Sequence, residues 1–176
     1  MGSREAGEEG DGSKSGYWCV VQTRSRHEKR VSRELAAKDI PHYLPLLTRR
    51  SRWTDRFVVV SEPLFPNYVF VHMEDQFYVP ILETRGVAGF VGSDHGPWEI
   101  ASAEVESIRV AVNSQLVVDP YPYLQVGREV CITRGALKGC HGILLEKARR
   151  HYLVLSVKLL HRSVIVEVEG RDVGAV

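Results

Sequence analysis

The sequence is poor in the residues that build catalytic, metal or disulfide-bonded sites. It has three cysteines, Cys19, Cys131 and Cys140, and no two of them share the spacing of a disulfide framework or a zinc ligand pair. They read as small apolar fillers in a reducing compartment, and no metal is expected. The seven histidines are scattered, and no Ser or Cys nucleophile acquires a base from spacing. No catalytic residue is therefore assigned, and neither enzyme activity nor a cofactor is expected. No apolar run approaches the roughly 20 residues of a membrane span. The first residues, "MGSREAGEEGDGSKSG", are polar and Gly/Ser-rich without an apolar signal core. Residues 1–15 are expected to be a disordered tail and the chain cytoplasmic, with no membrane contact.

Nucleotide-binding motifs are missing as well. "ITRGALKGCHG" (132–142) has glycines at 135, 139 and 142. A phosphate-cradling loop needs Gly-Lys followed by Ser or Thr. Here Lys138 precedes Gly139, and Cys140 and His141 follow. A dinucleotide fingerprint would lead from a strand into a helix, whereas "ILLE" and the Val/Ile/Leu-rich stretch after it read as strands. The glycines are expected to serve positive-φ turns of a small barrel.

What is present is an ordinary globular composition with an uneven charge distribution. Net charge is +1, yet Arg24 to Arg56 holds ten Lys/Arg against four Asp/Glu. Glu62 to Asp119 holds two against nine, and the chain from Tyr121 onward nine against five. A basic patch and an acidic patch are expected, so that nucleic acid can be met locally while protein is met elsewhere.

"YWCVVQT" (17–23) reads as a central strand. Ser25 and Glu28 have capping-box spacing ahead of a helix that ends near Asp39, with Arg26, Lys29, Arg30 and Arg33 on its outer face. "HYLPLL" and "RFVVVSEPLF" are strand-like, with a basic hairpin or loop between them. "NYVFVHM" (67–73) alternates as a strand, and a short helix precedes Gly86. Ser102 is expected to cap a helix over 103–112 that turns Val105, Ile108 and Val112 to one side. This makes 16–113 an α+β domain. "NSQLVVDPYPYLQVG" has two prolines and no periodicity, so 114–124 is assigned to a linker. Residues 125–176 carry strand signals throughout, five strands of a small barrel.

With both halves in view the chain resembles the NusG family of bacterial transcription elongation factors. "YWCVVQTRSRHEKRVSREL" is similar to the family's first strand and helix, "SEPLFPNYVFVHM" and "TRGVAGFVG" to its most telling pair of segments, and "VGREVCITRGALKGCHGILLE" to a KOW motif. The "TRGV" context resembles the specialised RfaH-like paralogues. The resemblance implies a ferredoxin-like NGN domain, an antiparallel sheet with helices, joined to a five-stranded KOW β-barrel. It implies a monomer that binds the clamp helices of the largest subunit of RNA polymerase and suppresses pausing. The polymerase-binding residues it suggests are Pro66, Tyr68 and Phe70, with Trp18 or Val21 from the first strand. Tyr68 and Phe70 could equally fill the core. DNA contact would fall to Arg24, Arg26, Lys29, Arg30, Arg33 and Arg85. Leu137, Cys140, Leu159, Leu160 and Arg162 match the barrel surface that recruits a ribosomal protein or the termination factor Rho. The alternative is an RNA-binding translation protein built on a KOW barrel, which would lack the "LFPNYVFV…TRGV" domain. Because "RSVIVEV" alternates valines on one strand face, the barrel is expected to be a permanent β-structure rather than a helical hairpin. A flexible tether would then leave the polymerase-binding face open in the free protein.

Overall fold

The computed structural model describes residues 16–52, 57–122, 127–147 and 150–175; the tail expected over 1–15 lies outside them. In chain order the elements are β1 (Tyr17–Thr23), α1 (Glu28–Ala37), β2 (His42–Tyr43), β3 (Leu46–Arg52), β4 (Phe57–Pro63), β5 (Tyr68–Met73), α2 (Tyr78–Leu82), β6 (Val87–Phe90), β7 (Gly92–Ser93), β8 (Gly96–Pro97) and α3 (Ser102–Asn113). They continue as β9 (Val118–Tyr121), β10 (Arg128–Ile132), β11 (His141–Lys147), β12 (Arg150–Val157), β13 (Arg162–Val168) and β14 (Val173–Ala175). Short 3-10 turns precede α2 and follow β12 and β13.

The first half is organised by an antiparallel sheet in the order β2-β5-β1-β6. Successive strand side chains point to opposite faces. Cys19 and Val21 of β1 therefore join Val69, Val71 and Met73 of β5 under Val31 and Leu35 of α1 and Ile81 of α2. Val20 and Phe70 point the other way, toward α3, with Trp18 and Tyr68 packed beside them. β3 and β4 leave the sheet as a separate hairpin, in register from Leu46↔Pro63 to Arg52↔Phe57.

Both helix starts differ from the expected caps. His27 and Ala101 occupy the N-cap positions, and neither helix has a side-chain cap bond. Glu28 is buried, and its carboxylate accepts the Asn67 backbone N–H at 2.7 Å. It holds the tight loop before β5, where Asn67 adopts φ 71°, instead of closing a box with Ser25. Gly86 is compelled by space and by backbone. At φ 108° a β-carbon there would sit 3.1 Å from both His27 Cβ and Val31 Cγ2.

The second half is one antiparallel sheet in the order β14-β10-β11-β12-β13-β9. Val164 and Val166 are fully buried on its inner face with Val168 packed beside them, as strict alternation requires. The barrel gains a sixth strand from the segment expected to be linker: β9 pairs with β13 from Ser163↔Tyr121 to Val166↔Val118. Pro120 is tolerated because β9 is an outer strand with a ladder on one side. Gly135 and Gly139 take φ 77° and 88° in the turn before β11. Gly142 has a different reason from the expected turn: a β-carbon there would fall 2.5 Å from the Val154 carbonyl oxygen across the ladder.

Candidate functional site

The two halves do not stand apart. One continuous apolar cluster runs from Val20, Phe65, Phe70, Ile108 and Ala111 into Val130, Leu137, Cys140, Leu155, Val157 and Leu160. α3 is the middle layer. Val105 and Ile108 make the stripe expected from the sequence, and Ala111 with Ser107 completes a second buried side. Against that side the Ser107 Oγ accepts the His141 N–H at 3.5 Å, and the Ser107 carbonyl oxygen receives the Cys140 thiol at 3.8 Å. One turn earlier the Glu104 carboxylate accepts the Lys158 N–H at 3.3 Å, at the start of the turn between β12 and β13. Arg49 of the hairpin meets Asp119 of β9 at 2.6 Å. Both partners are about half exposed, so this pair contributes about 0.5 kcal/mol and apolar burial dominates the contact.

The residues suggested for polymerase binding separate into different places. Phe70 is fully buried, with its ring edge-on to Phe65 at 5.9 Å and 6.3 Å from Tyr43, both in its own half. Trp18 is half-buried, stacked edge-on with His72 at 5.4 Å, and Arg109 reaches over both Trp18 and Tyr43. Tyr68 is half-buried, and the guanidinium of Arg162 from the barrel lies over its ring. Pro66 is exposed on the loop before β5. Val21 does not belong to this face: strand alternation turns it to the opposite side of the sheet, fully buried under α1.

The barrel residues suggested for partner binding come to the same place. Leu137, Cys140 and Leu160 are buried in the shared cluster, Leu159 packs at its margin, and Arg162 covers Tyr68. The face expected to be open is therefore covered by the chain's own barrel. Ser107 and Glu104 were not singled out in the sequence; the available signal was their spacing with Ala111 along a second side of α3.

The basic residues form a real surface. Arg24, Arg26, Lys29, Arg33 and Arg85 are exposed, and the Arg24 N–H donates to the Gly86 carbonyl at 2.8 Å, which seats Arg85 beside the start of α1. Arg30 is engaged instead with Glu34 at 2.9 Å. That hydrogen bond comes first among the causes that hold the Glu34 carboxyl below its ordinary range. The Lys29 ammonium donates to the Ser61 carbonyl, tying α1 to β4 and lining a cleft of about 490 Å³ with Ser25, Arg26, Pro63 and Pro66.

Chemistry by thiolate is disfavoured. Burial pushes the Cys19 and Cys140 thiols up to about 12 and about 11, so neither is ionised at neutral pH. Among the described residues no cluster of His, Cys, Asp and Glu is placed to hold a metal ion. No helix among them is long and apolar enough to cross a membrane.

The chain is similar to known proteins in sequence and in fold. Residues 16–109 match the family described as "Transcription termination factor nusG". The chain is 29% identical over 171 residues to the transcription termination/antitermination protein NusG of Lactococcus lactis, covering 89% of this chain and 91% of that one. It is 25% identical over 176 residues to the same-named protein of Rickettsia conorii, covering 89% and 88%. A solved structure, "Domain interaction in Thermotoga maritima NusG", superposes with a TM-score of 0.52 at 22% identity, over 92% of this chain and 97% of that one. A first domain of the expected fold, a β-rich second half and full-length relatives of one name lead to the same conclusion: the chain belongs to the NusG family of transcription termination and antitermination factors.

Proposed function

We propose that this protein binds RNA polymerase at the clamp helices of the largest subunit through the sheet face that carries Trp18 and Tyr68, and that it suppresses pausing once seated there. The exposed arginines and Lys29 around the start of α1 lie along DNA in that complex, where each phosphate contact adds salt-dependent affinity. The barrel turns at Leu137, Cys140, Leu159, Leu160 and Arg162 recruit a second protein, a ribosomal protein or Rho. In the free chain these two faces cover each other, so polymerase and the barrel's partner both act on the same closed-to-open equilibrium. A ligand that binds only the open state stabilises it by its own binding free energy, and two such ligands favour each other's binding. The observation that carries this reading is Arg162 over Tyr68, a residue of one proposed surface seated on a residue of the other.

The test is transcription by purified core polymerase through a pause and a terminator with the full-length protein added. Shortened pauses, restored to full length by Tyr68→Ala in a folded variant, are expected. Unchanged pausing with the wild-type protein would remove the proposal.

A further inference from the structure

The sixth strand of the barrel, β9, is fastened to the first half. Residues 114–117 alone separate the end of α3 at Asn113 from the start of β9 at Val118, and they carry the bonds of an ordered turn. The Ser114 hydroxyl donates to the Ala111 carbonyl at 2.6 Å, and the Leu116 N–H donates to the Ser114 hydroxyl oxygen at 3.2 Å. Gln115 adopts φ 63°. Within β9, Asp119 is held by Arg49 of the β3–β4 hairpin. Chain and ion pair both tie the strand to the first half.

Its hold on the barrel is slighter. β9 has four residues and one ladder, to β13, and Pro120 brings no N–H to it. Asp119 and Pro120 are exposed, and Val118 is buried in the cluster that both halves share. Just before the strand, Val117 is 76% exposed. Leu116 borders a cavity of about 150 Å³ against Ile132, Leu137 and Val168 of the barrel. A short ladder with few apolar contacts beside an unfilled cavity opens at low cost.

Length decides which joint must give. Even with the turn undone, the five steps from Asn113 to Val118 reach at most about 18 Å. A pair of helices side by side, each about 10 Å across, occupies about 20 Å, and the whole Trp18–Tyr68 face must be cleared for it. A barrel still paired to β9 does not withdraw that far.

We infer that β9 is a releasable strap of the first half. It clasps β13 in the closed protein, and the barrel must unpair from it to uncover the polymerase-binding face. The five-stranded barrel expected from the sequence is then the barrel of the open state, and the sixth strand belongs to the closed one. Parting of the halves and loss of the β9–β13 ladder become one event. This rests on the polymerase-binding reading above and adds the joint at which opening is controlled.

The experiment locks that joint. Asp119 and Ile165 are partners across the ladder, within reach of a disulfide. Full-length Asp119→Cys with Ile165→Cys is made in a Cys131→Ser background, which leaves only the buried Cys19 and Cys140 as further thiols. Its affinity for purified core polymerase is measured oxidised and reduced. Both forms lack the Arg49 pair, so the comparison isolates the cross-link. The oxidised form should bind about tenfold more weakly or worse, because its open state is less populated. Inserting Gly-Ser-Gly-Ser after Gln115 should restore binding to the oxidised protein by giving the locked barrel slack. Equal binding by the oxidised and reduced forms would overturn the inference and leave the proposed function standing, as would weak binding that the insertion does not restore. Without any cross-link, the Val118 and Tyr121 amides of Ser107→Glu should lose their strand shifts while β10–β14 keep theirs. Strand shifts retained at both residues after the halves have separated would also overturn the inference. Failure of the wild-type chain to bind polymerase at all would remove both readings.

Discussion

The guanidinium of Arg162, at the start of β13, lies 5.9 Å from the centroid of the Tyr68 ring at the start of β5. These two residues sit on surfaces expected from the sequence to meet different partners, and here each occupies the other. The contact is a cation–π pair at the edge of an apolar cluster, and it contributes about 0.5–1 kcal/mol at such half-exposed positions. Arg162→Ala should therefore loosen the closed state without abolishing it. Amide spectra of the full-length variant should show shifts at Tyr68 and along α3 with the strand pattern of β10–β14 intact. Unchanged shifts at Tyr68 and along α3 would mean the pair does not hold the halves together.

Glu104 should give closure a pH dependence. Burial, first, raises its carboxyl above the ordinary range, while the Lys158 N–H and the nearby ammonium pull the other way. A group whose closed-state pKa is raised binds more protons closed than open. Closure is then favoured below the ordinary carboxylate range and weakens as pH rises from there through the raised value. Glu104→Gln keeps an acceptor for the Lys158 N–H and should remove this slope. His141 lines the same small cavity, so the slope is read as the difference between the variant and the wild type. An identical slope in the variant would assign it to another group.

On the basic surface, charge reversal at Arg24, Lys29 and Arg33 should lower affinity for DNA in the elongation complex. The logarithmic salt slope should fall by about 0.9 for each phosphate no longer neutralised. Arg30→Ala should change it less, because that guanidinium is already held by Glu34. An unchanged slope in the triple variant would show that these residues do not neutralise phosphates in the complex.

Gly142→Ala should destabilise the barrel by about 2 kcal/mol or more, because the added carbon meets the Val154 carbonyl at 2.5 Å and neither strand can retreat without breaking its ladder. Urea unfolding of the full-length protein, read at barrel amides, measures it. A loss under about 0.5 kcal/mol would show that the strands part more easily than their register implies.

Much of the fold was legible because it is written in local periods. β1, β5 and β13 alternate, and α1 and α3 repeat at helical spacing. The same alternation, applied to Trp18 and Val21 of one strand, already sets them on opposite faces. The remainder depends on partners far along the chain. Val118–Tyr121 looked like linker because of Pro120, and only its edge position beside β13 makes it a strand. Glu28 had the spacing of a capping box but is used by Asn67, thirty-nine residues away. The joining of the two halves was least legible, since Ser107 and Cys140 carry no pattern that announces their hydrogen bond. A small polar residue and a small apolar one fit many surroundings equally well.

If the barrel covers the polymerase-binding face, prising the halves apart must expose that face and strengthen binding. Ser107→Glu places a charge between α3 and β11, at a position 6% exposed, where an unpaired charge is costly in the closed state and harmless in the open one. The measurement is the affinity of full-length Ser107→Glu for core polymerase beside that of the wild type, with amide spectra confirming that both halves remain folded and have separated. Tighter binding by the variant, by about tenfold or more, is predicted. Separated halves with unchanged or weaker binding would contradict the covering role of the barrel.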